Sequence, residues 1–97
     1  MEDLILKVQE WAVDKGIDNP ENWPKQLVKF FEESGELASS LLKGKREEEL
    51  DSFGDVQVVL IILALQRGVD LKAELEKAYD IISKRTGTTV GGVFVKS

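Results

Sequence analysis

Three glutamates, Glu32, Glu33 and Glu36, lie within one short stretch, and Asp51 and Asp55 follow after an interval of about four helical turns. Carboxylates grouped this way do two kinds of chemistry. They ligate a hard divalent cation, or they take a proton from water as a general base. On a helix each residue advances about 100°, so Glu32 and Glu36 lie about 40° apart and Glu33 and Glu36 about 60° apart. All three then share one stripe. Asp51 and Asp55 are likewise one turn apart, with Ser52 near the same face. Like charges at such spacing are mildly destabilising on a lone helix. A cation between the two groups reverses that, and facing helices are a recurrent way to present its ligands. The alternative is an ordinary solvated acidic face. For Glu47, Glu48 and Glu49 that is the simpler reading, because negative charge suits the first turn of a helix.

Four helices and a tail are expected to position these groups. Residues 2–15 place Leu4, Ile5, Val8, Trp11 and Ala12 at helical spacing, with Gly16 as the stop. The segment 17–25 carries both prolines and reads as a loop, although Pro24 also suits the first turn of the next helix. A second helix is predicted from Gln26 to Leu42, ending at Gly44. A third begins near Arg46 and runs through the apolar stretch 56–65 to Gly68. Its valines and isoleucines would also suit a buried strand, but its length and acidic lead-in favour a helix. A fourth spans Leu71 to about Lys84, with Asp70 as its cap. After Gly87 the tail 88–96 reads as extended, with the option of a short hairpin.

The chain has 97 residues and a net charge of −5, the size of one domain. At 42% apolar and 32% charged residues it belongs with folded, soluble proteins rather than disordered ones. With no basic run, phosphate-driven nucleic-acid binding is not expected. No cysteine and no histidine are present. That excludes disulfides, Cys/His zinc sites and every triad that needs imidazole, so a metal must be oxygen-ligated: Mg²⁺, Mn²⁺ or Ca²⁺. The stretch 56–65 is half a membrane span, and the opening residues lack a signal-peptide layout, so a cytoplasmic protein without a membrane partner is expected. Because that stretch is apolar on all sides, three short neighbours can hardly enclose it. A homo-oligomer is expected, most simply a two-fold dimer, with a tetramer as the larger option.

The string from Leu27 to Ala38, followed by Asp51 to Leu60, resembles the MazG-like all-α nucleoside triphosphate pyrophosphohydrolases, which carry E-E-x-x-E, a spacer and then E-x-x-D. The likeness extends over nearly the whole chain, including Gly68–Leu71, Ala78–Gly87 and the closing Gly92–Lys96, and is nearest to short stand-alone members from phages and bacteria. It implies a single all-α, four-helix domain with a short extended tail, oligomerising through its helices. It also implies Mg²⁺-dependent, or Mn²⁺-dependent, hydrolysis of a nucleoside triphosphate to monophosphate and pyrophosphate. Carried over by position, Glu33, Glu36 and Asp55 are the expected metal ligands, with Glu32 or Glu33 as the base. Ser52 departs from the pattern, since a glutamate is expected there, and Asp51 is the neighbour placed to substitute. Lys84 and Arg85 are expected near the phosphates, and Gln26 and Asp80 near base or sugar. The same lysine and arginine also suit the negative end of a helix, while Lys43, Lys45 and Arg46 read as a solvated turn. Trp11, Trp23 and Tyr79 could stack on a base but more simply pack in a core. The alternative to an enzyme is a MazG-like binding or oligomerisation module without turnover.

Overall fold

The structure, a computed structural model, describes residues 2–97. Four helices run Glu2–Asp14 (α1), Trp23–Leu42 (α2), Arg46–Gln66 (α3) and Leu71–Ser83 (α4), and strands Gly87–Val90 (β1) and Val93–Lys96 (β2) follow. The helix expected from Gln26 starts earlier, at Trp23. Asn19 caps a 3₁₀ turn, Pro20–Asn22, by accepting from the Glu21 amide, and that turn feeds directly into α2 with Pro24 in its first turn. A proline there gives up only an amide that the helix leaves unpaired anyway.

The turn that brings the two acidic helices side by side is set at Gly44. Its φ of 68° is left-handed, its amide donates to Leu41 O at 3.3 Å, and the Lys45 amide donates to Ser40 O at 2.9 Å. That pair of bonds satisfies the orphan carbonyls of α2, and only glycine adopts the conformation without strain. Asp70 caps α4 as its position predicts, accepting from the Ala73 amide at 3.1 Å. The tail is an antiparallel hairpin in which Val90 pairs with Val93 around Gly91 and Gly92, both with positive φ. A two-residue turn of this type needs positive φ at both positions, which explains the glycine pair.

The core is small. α2 and α3 form the main pair, α1 packs on α3, and the buried apolar residues are Ala12, Val59, Ile61, Ile62 and Ala64. Two amides tie the helices together: Gln26 Nε2 donates to Val59 O at 3.3 Å and the buried Gln66 Nε2 to Ile17 O at 3.0 Å. The expected four-helix bundle is formed only in part. Among the described residues α4 touches the other helices sparsely, and an apolar groove of ≈ 650 Å³ opens between its first turns and α1 and α3, lined by Ile5, Leu60, Ile61, Leu71 and Leu75. Amphipathic spacing gives α4 an apolar stripe, but Leu75, Tyr79 and Ile82 on it are each more than half exposed. The apolar run of α3 is likewise only partly enclosed, with Leu60 39% exposed. No helix among the described residues is long and apolar enough to cross a membrane.

Candidate functional site

α2 and α3 run antiparallel from the Gly44 turn, so residues counted backwards along α2 meet residues counted forwards along α3. Ser40 thereby comes opposite Ser52, and Glu36 opposite Asp55. Between them lies an open cleft of ≈ 300 Å³ lined by Glu36, Ser39, Ser40, Glu48, Asp51, Ser52 and Asp55. Ser40 and Ser52 are buried, and their small side chains leave the floor low. Ser40 Oγ donates to Leu37 O at 2.9 Å.

Glu33, one turn before Glu36 on α2, is not part of the cleft lining but is the most enclosed of the carboxylates on this face of α2. Its side chain is 14% exposed, and its nearest cation is Lys29 Nζ, 4.0 Å from Oε1. Oε2 is buried without a hydrogen-bond partner. Burial pushes the Glu33 carboxyl above the ordinary carboxylate range. The Glu36 carboxylate adds to that by accepting a hydrogen bond from the protonated form and as a like charge, and Asp55 adds again, while Lys29 opposes. Of the three groups, Glu36 and Asp55 line the cleft together, and Glu33 lies one turn before Glu36 on α2. These are the three residues that the family resemblance implies as ligands.

Asp51 lines the cleft as well, on its α3 side. Neither Glu32 nor Glu33 is among the lining residues; of the two candidate bases Glu32 is exposed and Glu33 is the enclosed one. Gln26 is committed to the Val59 carbonyl. Asp80 pairs with Lys84, Oδ1 to Nζ 3.1 Å, on the exposed face of α4. Neither residue, nor Arg85, borders the acidic cleft of its own chain. Trp23 lies under Arg67, whose guanidinium carbon is 5.2 Å from a ring centroid, and Trp11, Trp23 and Tyr79 are all exposed rather than core.

Glu48 is the cleft residue that sequence reasoning placed elsewhere. A run of three glutamates in a first helical turn reads as a complement to the dipole. Glu49 fits that reading in part, pairing with Arg46 on the helix surface. Glu48 lies two turns ahead of Asp55 on nearly the same face, and counting that period from Asp55 backwards would have found it.

A cleft walled by carboxylates and hydroxyls supplies only hard oxygen donors, the chemistry that Mg²⁺ and Mn²⁺ require. The orphaned Glu33 Oε2 fits such an ion, because a buried carboxylate oxygen without a donor is costly unless a cation or proton meets it. Among the described residues no three carboxylates form a ready-made ligand group. Mg²⁺ does not demand one; it is usually held by one or two carboxylates, with waters and substrate phosphates completing the octahedron.

No protein-family model matches the chain, and no solved structure matches it. A relative from Haemophilus phage HP1 (strain HP1c1), an uncharacterized 18.2 kDa protein in the rep-hol intergenic region, is 39% identical over 70 residues. The match covers 72% of this chain and 43% of the phage protein, so the chain spans less than half the length of that relative.

Proposed function

We propose that the chain is a Mg²⁺-dependent nucleoside triphosphate pyrophosphohydrolase of the MazG-like kind, working on cytoplasmic nucleotide pools. The observation that carries this reading is the cleft in which Glu36 on α2 faces Asp51 and Asp55 on α3, with a buried oxygen of Glu33, one turn before Glu36, left unpartnered. In the proposed reaction water attacks the α-phosphorus, the bond from that phosphorus to the α,β-bridging oxygen breaks, and pyrophosphate leaves with the electron pair. A divalent ion in the cleft supplies charge neutralisation on the phosphate oxygens and makes water a better nucleophile at neutral pH. Glu36 and Asp55, with Asp51 beside them, are the residues to hold it. Glu33, enclosed and short of partners, is placed to take the water's proton. Substituting Glu36→Gln and Asp55→Asn is expected to lower pyrophosphate release by about 100-fold or more at fixed Mg²⁺, in line with the loss of groups that act on the transition state. Turnover within a few-fold of wild type in both variants would remove the cleft from the chemistry.

The reading includes a homodimer. A compact monomer of 10.9 kDa exposes about 5,600 Å², whereas this chain exposes 7424 Å², an excess of roughly 1,800 Å². Its radius of gyration is 16.0 Å, against about 12.5 Å for a compact fold of this length. The surplus matches what a substantial interface removes from one partner. Much of it is apolar, on α4 and on the hairpin, where Val93 and Phe94 are exposed. Pairing is also what would bring Lys84 and Arg85 within reach of a triphosphate in an acidic cleft.

A second reading, a nucleotide-binding module without turnover, is favoured by Ser52, a hydroxyl where the resemblance expects a carboxylate. Thermal stabilisation by nucleotide and Mg²⁺ with no product formed separates it from the first.

A further inference from the structure

The hairpin has two unlike faces. Strand pairing sets Thr88 opposite Val95 and Val90 opposite Val93, so these side chains share one face, while Gly87, Thr89, Phe94 and Lys96 share the other. The hairpin closes that second face itself. Phe94 lies across Gly87, its Cζ 2.7 Å from where a Cβ would stand, so the ring fills the space the glycine leaves. The valine face has no such cover. Val90, Val93 and Val95 are 61%, 65% and 50% exposed, and among the described residues no helix packs on the hairpin to any extent. A two-stranded hairpin without a layer against its apolar face is at best marginally stable in water.

The complementary surface is the groove between α1, α3 and the first turns of α4, walled by Ile5, Leu60, Ile61, Leu71 and Leu75. The two surfaces do not meet within one chain. The hairpin leaves from the far end of α4, about 12 Å beyond Leu75 at 1.5 Å per residue. Tyr79, Ile81 and Ile82 on that last stretch are exposed, so the hairpin does not turn back along its own helix. Each chain therefore offers one valine face and one groove. A two-fold axis satisfies both at once, because the hairpin of each copy then reaches the groove of the other. The excess of roughly 1,800 Å² over a compact monomer is more than the about 800 Å² that a standard interface takes from each partner.

We propose that the hairpin is a clamp, docking by its Thr88, Val90, Val93 and Val95 face into the α1–α3–α4 groove of a second copy of this chain. The inference deepens the homodimer of the proposed reading and rests on it. Val90 and Val93 flank the Gly91–Gly92 turn, so the tip carries two of the three valines. Their β-branched side chains are stiff and lose little freedom on docking.

The chain has no cysteine, so disulfide trapping reports only engineered pairs. V93C and L75C chains, mixed and oxidised, are expected to give a covalent dimer joining the two variants. V93T keeps the branching and shape of valine but places a hydroxyl in the contact. It is expected to weaken the dimer about 100-fold in sedimentation on dilution, about tenfold from each copy. T89S, on the Phe94 face, is expected to dimerise as wild type does. V93T folds as wild type does, because Val93 is exposed in the single chain, and melting curves of dilute samples check this. If V93T dissociates as wild type does, or the mixed product does not form, the inference fails and the homodimer stands. V93C chains joining each other instead would mean that hairpin meets hairpin, and a V93C/L75C chain that closes on itself at monomer mass would give the groove to its own hairpin; either result overturns the clamp. A wild type that stays monomeric at high concentration removes the homodimer as well, while the hydrolytic reading is tested separately by turnover.

Discussion

At the scale of single residues, Glu33 departs most from an ordinary solvated acidic face. A solvated glutamate keeps both oxygens in water; Glu33 keeps one buried and unpartnered beside two other carboxylates. The arrangement opposes folding once Glu33 ionises. Its carboxyl is raised above the ordinary value in the folded chain, so the folded state binds more protons than the unfolded state in the window between the two. Stability therefore falls as pH rises from the ordinary carboxylate value through the raised one, and stays lower above it. In metal-free buffer Glu33→Gln is expected to melt above wild type at pH 7, with the difference disappearing as the pH drops below the ordinary carboxylate range. Mg²⁺ is expected to raise the wild-type melting temperature and to raise that of Glu33→Gln less. Melting curves over pH with and without Mg²⁺ read both effects. A Gln variant that is less stable than wild type at neutral pH without metal would show that burial of this charge has been misjudged.

At the scale of elements, the helical period, the glycine stops at 16, 44 and 68 and the Asp70 cap were all visible in the residues, because each acts locally. The acidic stripes were visible for the same reason: Glu32, Glu33 and Glu36 on one helix, and Asp51 and Asp55 on the next, need only the angle per residue to be grouped, although that angle did not separate Glu32, which lies outside the cleft. What sequence could not supply was the partner of each face. Gln26 was expected near base or sugar from the resemblance alone, and only the register of α2 on α3 shows it donating to Val59 O. The start of α2 at Trp23 rather than Gln26 depended on the 3₁₀ turn ahead of it, which no periodicity announces. α4 shows how much a local signal carries when packing is sparse. With few tertiary contacts, its helicity relies on its cap and surface ion pairs. Asp70→Ala is expected to cost about 1 kcal/mol by denaturant titration. Amide exchange should concentrate that loss in residues 71–75, whereas an even loss over α2 and α3 would mean that α4 is more firmly packed than its contacts indicate.

At the scale of the molecule, one chain is an incomplete enclosure of its own apolar surface. Among the described residues no large side chain is fully buried, and Phe31, Leu42, Leu75 and Tyr79 are exposed. A second copy is the economical cover, since it brings the same surplus with it. Sedimentation or light scattering is expected to give twice the 10.9 kDa chain mass, or four times if dimers pair. Leu60→Glu, at the rim of the α1–α3–α4 groove, is expected to shift the mass toward the monomer and to lower stability by several kcal/mol, as a charge forced into an apolar contact does. Mixing makes the shared-site idea testable. If Arg85 serves the partner's cleft, Glu36→Gln and Arg85→Ala chains, each weak alone, should recover part of wild-type turnover when refolded together. No recovery in mixed dimers would confine each site to its own chain.

The claim beneath all of this is that carboxylates from α2 and α3 serve the hydrolysis of a triphosphate at its α-phosphorus. Incubating the protein with a panel of ribo- and deoxynucleoside triphosphates in ¹⁸O-water, with Mg²⁺, tests it most directly. The expected result is one pyrophosphate per monophosphate, with the heavy oxygen in the monophosphate and none of either product after Mg²⁺ is chelated. Release of orthophosphate, label in the pyrophosphate, or no turnover of any nucleotide at high protein concentration would contradict it.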